Sequence, residues 1–270
     1  MSEREDLLAS VANEIKMYRS GDLAEPSLEH VDRWLYQFTP SQQLPFLREF
    51  EHVIRRTFVT QANVTDFLGM VVSHKGLSGD NPLAYWSAAN FLCIQQNGQS
   101  QREMLTLFSN CLTDKFGIRL SDCGKDGGDF IYLDDVMFSG NRVGNDLERW
   151  IDNDAPPLAN IHVIVAAWHT LGQYLCERKL NGVIVKSGKK ITIKYWRALV
   201  VENQKAHKNT SGVLWPAVVP DVAEVQAYIA GPSKFPFEAR KPSAQPVEPF
   251  SSEAGRQVLE SEFLIAGAKI

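Results

Sequence analysis

The sequence predicts an α/β domain on a mostly parallel sheet, preceded by a helical N-terminal extension. Three patterns carry that prediction. The first stretch shows only helical periodicity. Beyond Asn90, short apolar runs alternate with amphipathic segments, and polar glycine-containing loops follow the runs. Parallel strands need long crossovers, so run, loop and helix repeated in series read as right-handed βαβ units.

The extension covers residues 1–75. Leu47, Phe50, Ile54 and Phe58 recur at helical spacing, with Phe46 and Val53 beside them. Ser41 is a cap upstream of that helix, and Pro45 suits a first turn. A shorter helix spans Ser27 to Phe38, with Val31, Trp34 and Leu35 on one face. These helices carry no chemistry and read as a cover packed on a core.

The α/β domain covers residues 76–230. Phe91 to Ile94 is a short buried strand, Gln95 to Ser100 a polar loop, and the helix after it places Met104, Leu105, Leu107 and Phe108 inward. The same order recurs over Phe130–Trp150. Ile161–Ala167 is a third buried strand, followed by a helix from His169 to Arg178. Val183–Lys186 and Ile191–Trp196, turning at Ser187-Gly188, read as a basic hairpin over 183–197. Prolines then crowd the chain from Pro216 to Pro249, and residues 231–252 read as a linker or strap. Residues 253–270 return to a helical pattern, with Val258, Leu259, Phe263 and Leu264 packing back on the core.

Composition narrows the function classes. At 44% hydrophobic and 22% charged, the 270-residue chain is globular and not a disordered polymer. No apolar run approaches the roughly 18–20 residues that cross a bilayer. The charged start lacks a secretory apolar segment, so a soluble cytoplasmic protein without a membrane partner is expected. Cys93, Cys111, Cys123 and Cys176 show neither Cys-x-x-Cys spacing nor a nearby His, which suits plain thiols and not a zinc site. The net charge of −4 argues against a dedicated nucleic-acid binder. Its distribution is uneven, however: acids concentrate in 121–154 and bases in 177–208.

The chemistry concentrates in Phe130–Gly144. Four apolar residues build a strand, and Asp134 and Asp135 sit at its carboxyl end. A turn with a hydroxyl and glycines (Ser139, Gly140, Asn141, Arg142, Val143, Gly144) then enters a helix. Such a turn offers backbone N–H groups to an anion, with help from the helix dipole. Carboxylates suit sugar hydroxyls or a magnesium ion. Together they describe a site for a phosphorylated ribose. Gln95–Ser100 serves either as a second anion loop or as a plain turn.

This segment resembles the PRPP-binding signature of type I phosphoribosyltransferases, with Asp134 and Asp135 as its acid pair and Ser139-Gly140 as the start of its phosphate loop. Asn141 and Arg142 replace the usual Gly and Thr. Arg142 therefore either adds a charged contact or occludes the site. A looser resemblance runs through Trp34-Leu-Tyr-Gln-Phe38, the Gln-x-Gly-x-Ser-Gln run at Gln96–Gln101, Tyr132-Leu-Asp-Asp135 with Ser139-Gly-Asn141, and Glu262-Phe-Leu-Ile-Ala-Gly267. Those stretches are similar to the phosphoribosyltransferase-like family of bacterial conflict systems, linked to antiphage defence and some retron loci. By that resemblance the chain stops before the family's usual C-terminal segment.

The resemblance implies a sheet of type I phosphoribosyltransferase kind and PRPP or a nucleoside monophosphate as ligand. Mg2+ would be held through the substrate, and also by Asp134 and Asp135. Asp134 and Asp135 would hold the ribose hydroxyls and position the sugar, without acting as nucleophile. Asn97, Gly98, Gln99 and Ser100 would hold pyrophosphate, and Ile118–Gly128 would be a short lid. Protein or nucleic-acid partners of a defence complex would meet Lys189, Lys190, Lys194 and Arg197. Two other readings compete. One is a catalytically inactive nucleotide-sensing or partner-binding module on the same fold. The other takes Tyr132-Leu-Asp-Asp135 as the metal-binding box of a polymerase palm, which requires the acids on an antiparallel hairpin.

Overall fold

The computed structural model describes residues 2–18, 23–96, 98–124, 127–202, 204–232 and 237–269. In chain order the elements are α1 (Glu3–Glu14), α2 (Leu28–Leu35), α3 (Gln43–Thr57), α4 (Gln61–Val72), α5 (Lys75–Ser78), α6 (Pro82–Ala88), β1 (Asn90–Leu92), α7 (Ser100–Phe116), β2 (Phe130–Met137), α8 (Asn141–Asn153), β3 (Leu158–His169), α9 (Thr170–Ser187), β4 (Lys190–Val201), α10 (Ala223–Ala230) and α11 (Glu253–Ala268). They form two compact units, one of Gln61–Val201 and one of Met1–Thr60 with Glu202–Ile270.

The Gln61–Val201 unit is the α/β domain. Its four strands are all parallel, in the order β1-β2-β3-β4, with crossovers through α7, α8 and α9. β2 and β3 are the inner strands and read as nearly continuous apolar runs, because both of their faces are covered. One face buries Tyr132, Val163 and Val165 against Val143, Leu147 and Ile151 of α8 and Cys176 and Leu180 of α9. The other buries Ile131, Leu133 and Ile164 against Phe67 and Leu68 of α4 and Phe108 and Leu112 of α7. The α4 residues therefore belong to this domain, although they fall within the segment read as a cover.

The second unit has a core of its own. Leu8, Val11, Leu35, Phe46, Leu47 and Leu259 are buried together, with Trp34, Phe50 and Phe263 packed around them. The C-terminal helix α11 lies in this unit beside α3. The proline-rich stretch returns to α11 through a buried ion cluster. Arg240 donates to both oxygens of Glu260, at 2.7 and 2.8 Å, and Arg256 donates to Glu260 at 2.8 Å. Pro236 lies outside the described residues.

The basic hairpin over 183–197 is corrected. Val183–Ser187 is the last turn of α9, and Gly188 stops that helix with φ +67° in the left-handed region. The Val-Ile-Val run suggests a strand locally. Yet Cys176, Leu180 and Val183 are buried at helical spacing, and a parallel β3–β4 pair needs a helical crossover. The bases scatter accordingly. Lys189 Nζ donates to the carbonyls of Ile151 and, at 2.8 Å, Ala155, satisfying the end of α8. Arg197 stacks on the Trp168 ring at 4.8 Å. Lys190 and Lys194 are exposed on β4. Among the described residues no helix is long and apolar enough to cross a membrane.

Candidate functional site

Asp134 and Asp135 do not sit at the carboxyl end of β2 as expected. The strand continues to Met137, because its ladder with the longer β3 pairs Val136 with Ala167 and Met137 with Trp168. Successive strand residues face opposite sides, so the two acids are not equivalent. Asp134 is 1% exposed and Asp135 faces solvent. Parallel pairing on both sides of β2 also removes the antiparallel hairpin that a polymerase palm requires.

Asp134 is held from two directions. Its Oδ1 accepts from Ser100 Oγ at 2.6 Å and from the Asp135 amide at 3.0 Å. Gln95 Nε2 donates to Ser100 Oγ at 3.3 Å. Burial pushes the Asp134 carboxyl up to about 6; the Ser100 hydroxyl opposes that rise and the neighbouring Asp135 charge adds to it. Ser100 thus lies where it was expected, at the sheet's carboxyl side, but its partner is the acid.

The turn after β2 is Phe138-Ser139-Gly140. Gly140 is the N-cap of α8 at φ +73°, and it has no side chain to cap that helix. A Cβ on Gly140 would strike the Gly172 carbonyl, and one on Gly172 would strike the Phe138 carbonyl. The two glycines let the turn lie directly on the first turn of α9. Ser139 Oγ accepts from the Asn141 amide at 3.3 Å. Ser139, Asn141 and Arg142 are exposed at the helix opening. Val143 and Gly144 are buried, Val143 in the core and Gly144 against the Lys179 stem, so these two are packing positions.

The β1–α7 loop is organised by the last residue of the Gln96–Gln101 run, which was not among the expected site residues. Gln101 is fully buried, and its Oε1 accepts from the amides of Ile94 at 2.8 Å and Gln95 at 2.9 Å. Gln95 Oε1 returns the contact by accepting from the Gln101 amide at 3.3 Å. The sequence signal was the Gln-x-Gly-x-Ser-Gln run that Gln101 ends, with Gln95 on the other side of the Gly loop. Gln101 Nε2 is buried without a partner among the described residues. Gly98 is at φ +100°, Gln99 precedes α7, and Asn97 lies outside the described residues.

The structure brings this loop against α8. A Cβ on Gly98 would lie 3.1 Å from Arg142 Nη1. Gln95, Gln96, Arg142, Asn145, Asp146 and Arg149 line a cleft of about 350 Å3. The segment read as a lid is pinned elsewhere: Gly124 and Gly128 donate to the carbonyls of Ser87 and Ala88, at the entrance to β1. Lys125 lies outside the described residues. Lys189 serves the far end of α8, so the basic cluster does not converge on the site. Among the described residues no group of three His, Cys, Asp or Glu side chains is placed to hold a metal ion.

A family model described as PRTase-CE matches residues 31–268. No curated protein and no solved structure matches the chain.

Proposed function

The chain belongs to the PRTase-CE family, a phosphoribosyltransferase-like family, and on that premise we propose that it binds PRPP or a nucleoside monophosphate beside β2, as an effector in a bacterial antiphage defence system of retron type. The observation that carries this reading is a single β2–α8 connection with a buried, hydroxyl-supported carboxylate on the strand and, after it, a helix opening whose N-cap glycine has no side chain and whose first amide meets only the Ser139 hydroxyl. Ribose hydroxyls donate to carboxylates, and a 5′-phosphate is favoured at the amides and dipole of a helix start. Asp134 orients the sugar; Ser139 and the first turn of α8 receive the phosphate.

Magnesium fits this site only as a passenger of the substrate. Two carboxylates are present, and Asp134 already spends Oδ1 on Ser100 and the Asp135 amide, whereas Asp135 is exposed. When bound, Mg2+ neutralises the charge of a diphosphate leaving group, and Asp135 is the carboxylate that would face it. The chain's own residues bind and align.

Calorimetry tests the reading. Ribose 5-phosphate, PRPP with Mg2+ and AMP are titrated into the wild type and into Asp134→Asn with Asp135→Asn. Loss of binding in the double variant is expected; undiminished binding rejects the site. A second reading, a nucleotide sensor without turnover, is favoured by the loop amides turned inward onto Gln101. It predicts AMP binding with no pyrophosphate released from PRPP. In either case we propose that the exposed Lys190 and Lys194 on β4 meet a protein or nucleic-acid partner of the defence complex.

A further inference from the structure

The sheet ends on an edge that its own sequence does not blunt. β1 and β4 are the outer strands. β1 has three residues, too few to template another strand, whereas β4 has twelve. β4 contains no proline and keeps one register against β3 from Lys190 to Val201, so no bulge turns it away. Among the described residues, no backbone–backbone hydrogen bond of 191–201 falls outside that ladder. The last five residues of β4 are exposed, and Leu199, Val200 and Val201 among them are large and apolar. A row of open N–H and C=O groups beside exposed apolar side chains is a template for a further strand.

The strand's own sequence selects the occupant. When two copies of one strand pair antiparallel, directly opposed residues share a face, so the two-fold axis must fall on a residue that meets its own copy. An axis on Lys194 or Arg197 sets two like charges opposite each other. An axis on Tyr195 sets Ile193 against Arg197 and leaves Val201 unmatched. An axis on Trp196 has neither fault and uses the whole of 191–201. On one face Ile191 meets Val201, Ile193 meets Leu199 and Tyr195 meets Arg197; on the other Thr192 meets Val200 and Lys194 meets Ala198. No two charges oppose each other, and every apolar residue exposed at the end of one strand meets a β-branched residue near the start of the other.

We propose that β4 pairs antiparallel with β4 of a second copy of this chain, about a two-fold axis at Trp196, and so joins two four-stranded sheets into one. The interface is isologous and closes on itself, because the edges that remain are the three-residue β1 strands. Strand side chains stand off the faces of a sheet and not along its edge. The pairing therefore uses the outer backbone of β4 and leaves the ammonium groups of Lys190 and Lys194 above the sheet. Arg197, which already stacks on Trp168, gains the Tyr195 ring of the second copy as a neighbour.

Sedimentation of the 270-residue chain over a range of concentrations tests the proposal, with the variants Ala198→Glu, Ala198→Lys and Ala198→Lys with Lys194→Glu. Ala198 is exposed, so all three should melt with the wild type. The wild type should be a dimer that dissociates on dilution. The register sets residue 198 opposite Lys194 twice in each dimer. Ala198→Glu should therefore tighten the dimer by about fivefold, and Ala198→Lys should weaken it by about as much. Added salt should shrink both shifts. The double variant, with a lysine and an acid exchanged across the pair, should restore the affinity that Ala198→Lys loses. A wild type that stays monomeric at every concentration overturns the proposal and leaves the edge to a strand of another protein. So do Ala198→Glu and Ala198→Lys variants that shift the dimer alike or not at all, or a double variant no tighter than Ala198→Lys.

Discussion

Replacing Asp134 by Asn should make the protein more stable at neutral pH while abolishing ligand binding. The carboxyl titrates at about 6 in the fold against an ordinary value of 3.8. Between these two values the folded state holds a proton that the unfolded chain has released. The fold is therefore favoured below about pH 4 and is progressively disfavoured as pH rises to about 6, after which the penalty is constant. At 1.36 kcal/mol per pKa unit the ionised carboxylate costs about 3 kcal/mol at pH 7, and roughly half that at pH 5. Asn keeps the shape and an acceptor oxygen for Ser100 Oγ and the Asp135 amide. Urea unfolding at pH 7.5 and pH 5 measures the gain. Asp134→Asn should exceed the wild type by about 2–3 kcal/mol at pH 7.5, with a smaller gap at pH 5. A variant less stable than the wild type at pH 7.5, or a gap that does not shrink in acid, would show that the buried carboxylate is a structural support and not a strained binding group.

Two further outcomes are expected. His162 is buried at the amino end of the sheet; its Nδ1 accepts from Trp196 Nε1 at 2.8 Å, so Nε2 carries the proton and faces Asp129 Oδ2 at 3.2 Å. Burial lowers its pKa below the usual 6.5, partly offset by Asp129, so the unfolded chain gains a proton that the fold refuses as pH drops below 6.5. This group loses stability in acid, the reverse of Asp134, and His162→Gln should flatten the fall in urea midpoint between pH 7 and pH 5.5 relative to the wild type; an identical slope refutes the assignment. The second outcome concerns Lys190→Glu with Lys194→Glu, which should weaken partner or nucleic-acid binding in a salt-dependent way and leave ligand binding alone. A complex of unchanged affinity across a salt titration removes β4 as the contact surface. Lys189 is unsuitable for that test, because its ammonium closes the end of α8.

Local periodicity alone determined much of this protein. Apolar runs separated by Gly-containing loops specified β1, β2 and β3 and the helices after them, and two adjacent acids after Leu133 marked the candidate site. Those features depend on neighbours within one or two turns of chain, where side-chain spacing and turn chemistry act. Tertiary structure decided the rest. The parallel ladder with β3 carried β2 past the acids and separated Asp134 from Asp135 by burial. A β-branched run became the end of α9 because a parallel pair needs a crossover. Ser100 met Asp134 across 34 positions, Arg149 met the Ile94 carbonyl across 55, and Lys189 met the Ala155 carbonyl across 34. Arg142 came to lie over Gly98 in the same way. Buried polar groups take whichever partner packing delivers, and segments so far apart in the chain become neighbours only when the sheet assembles.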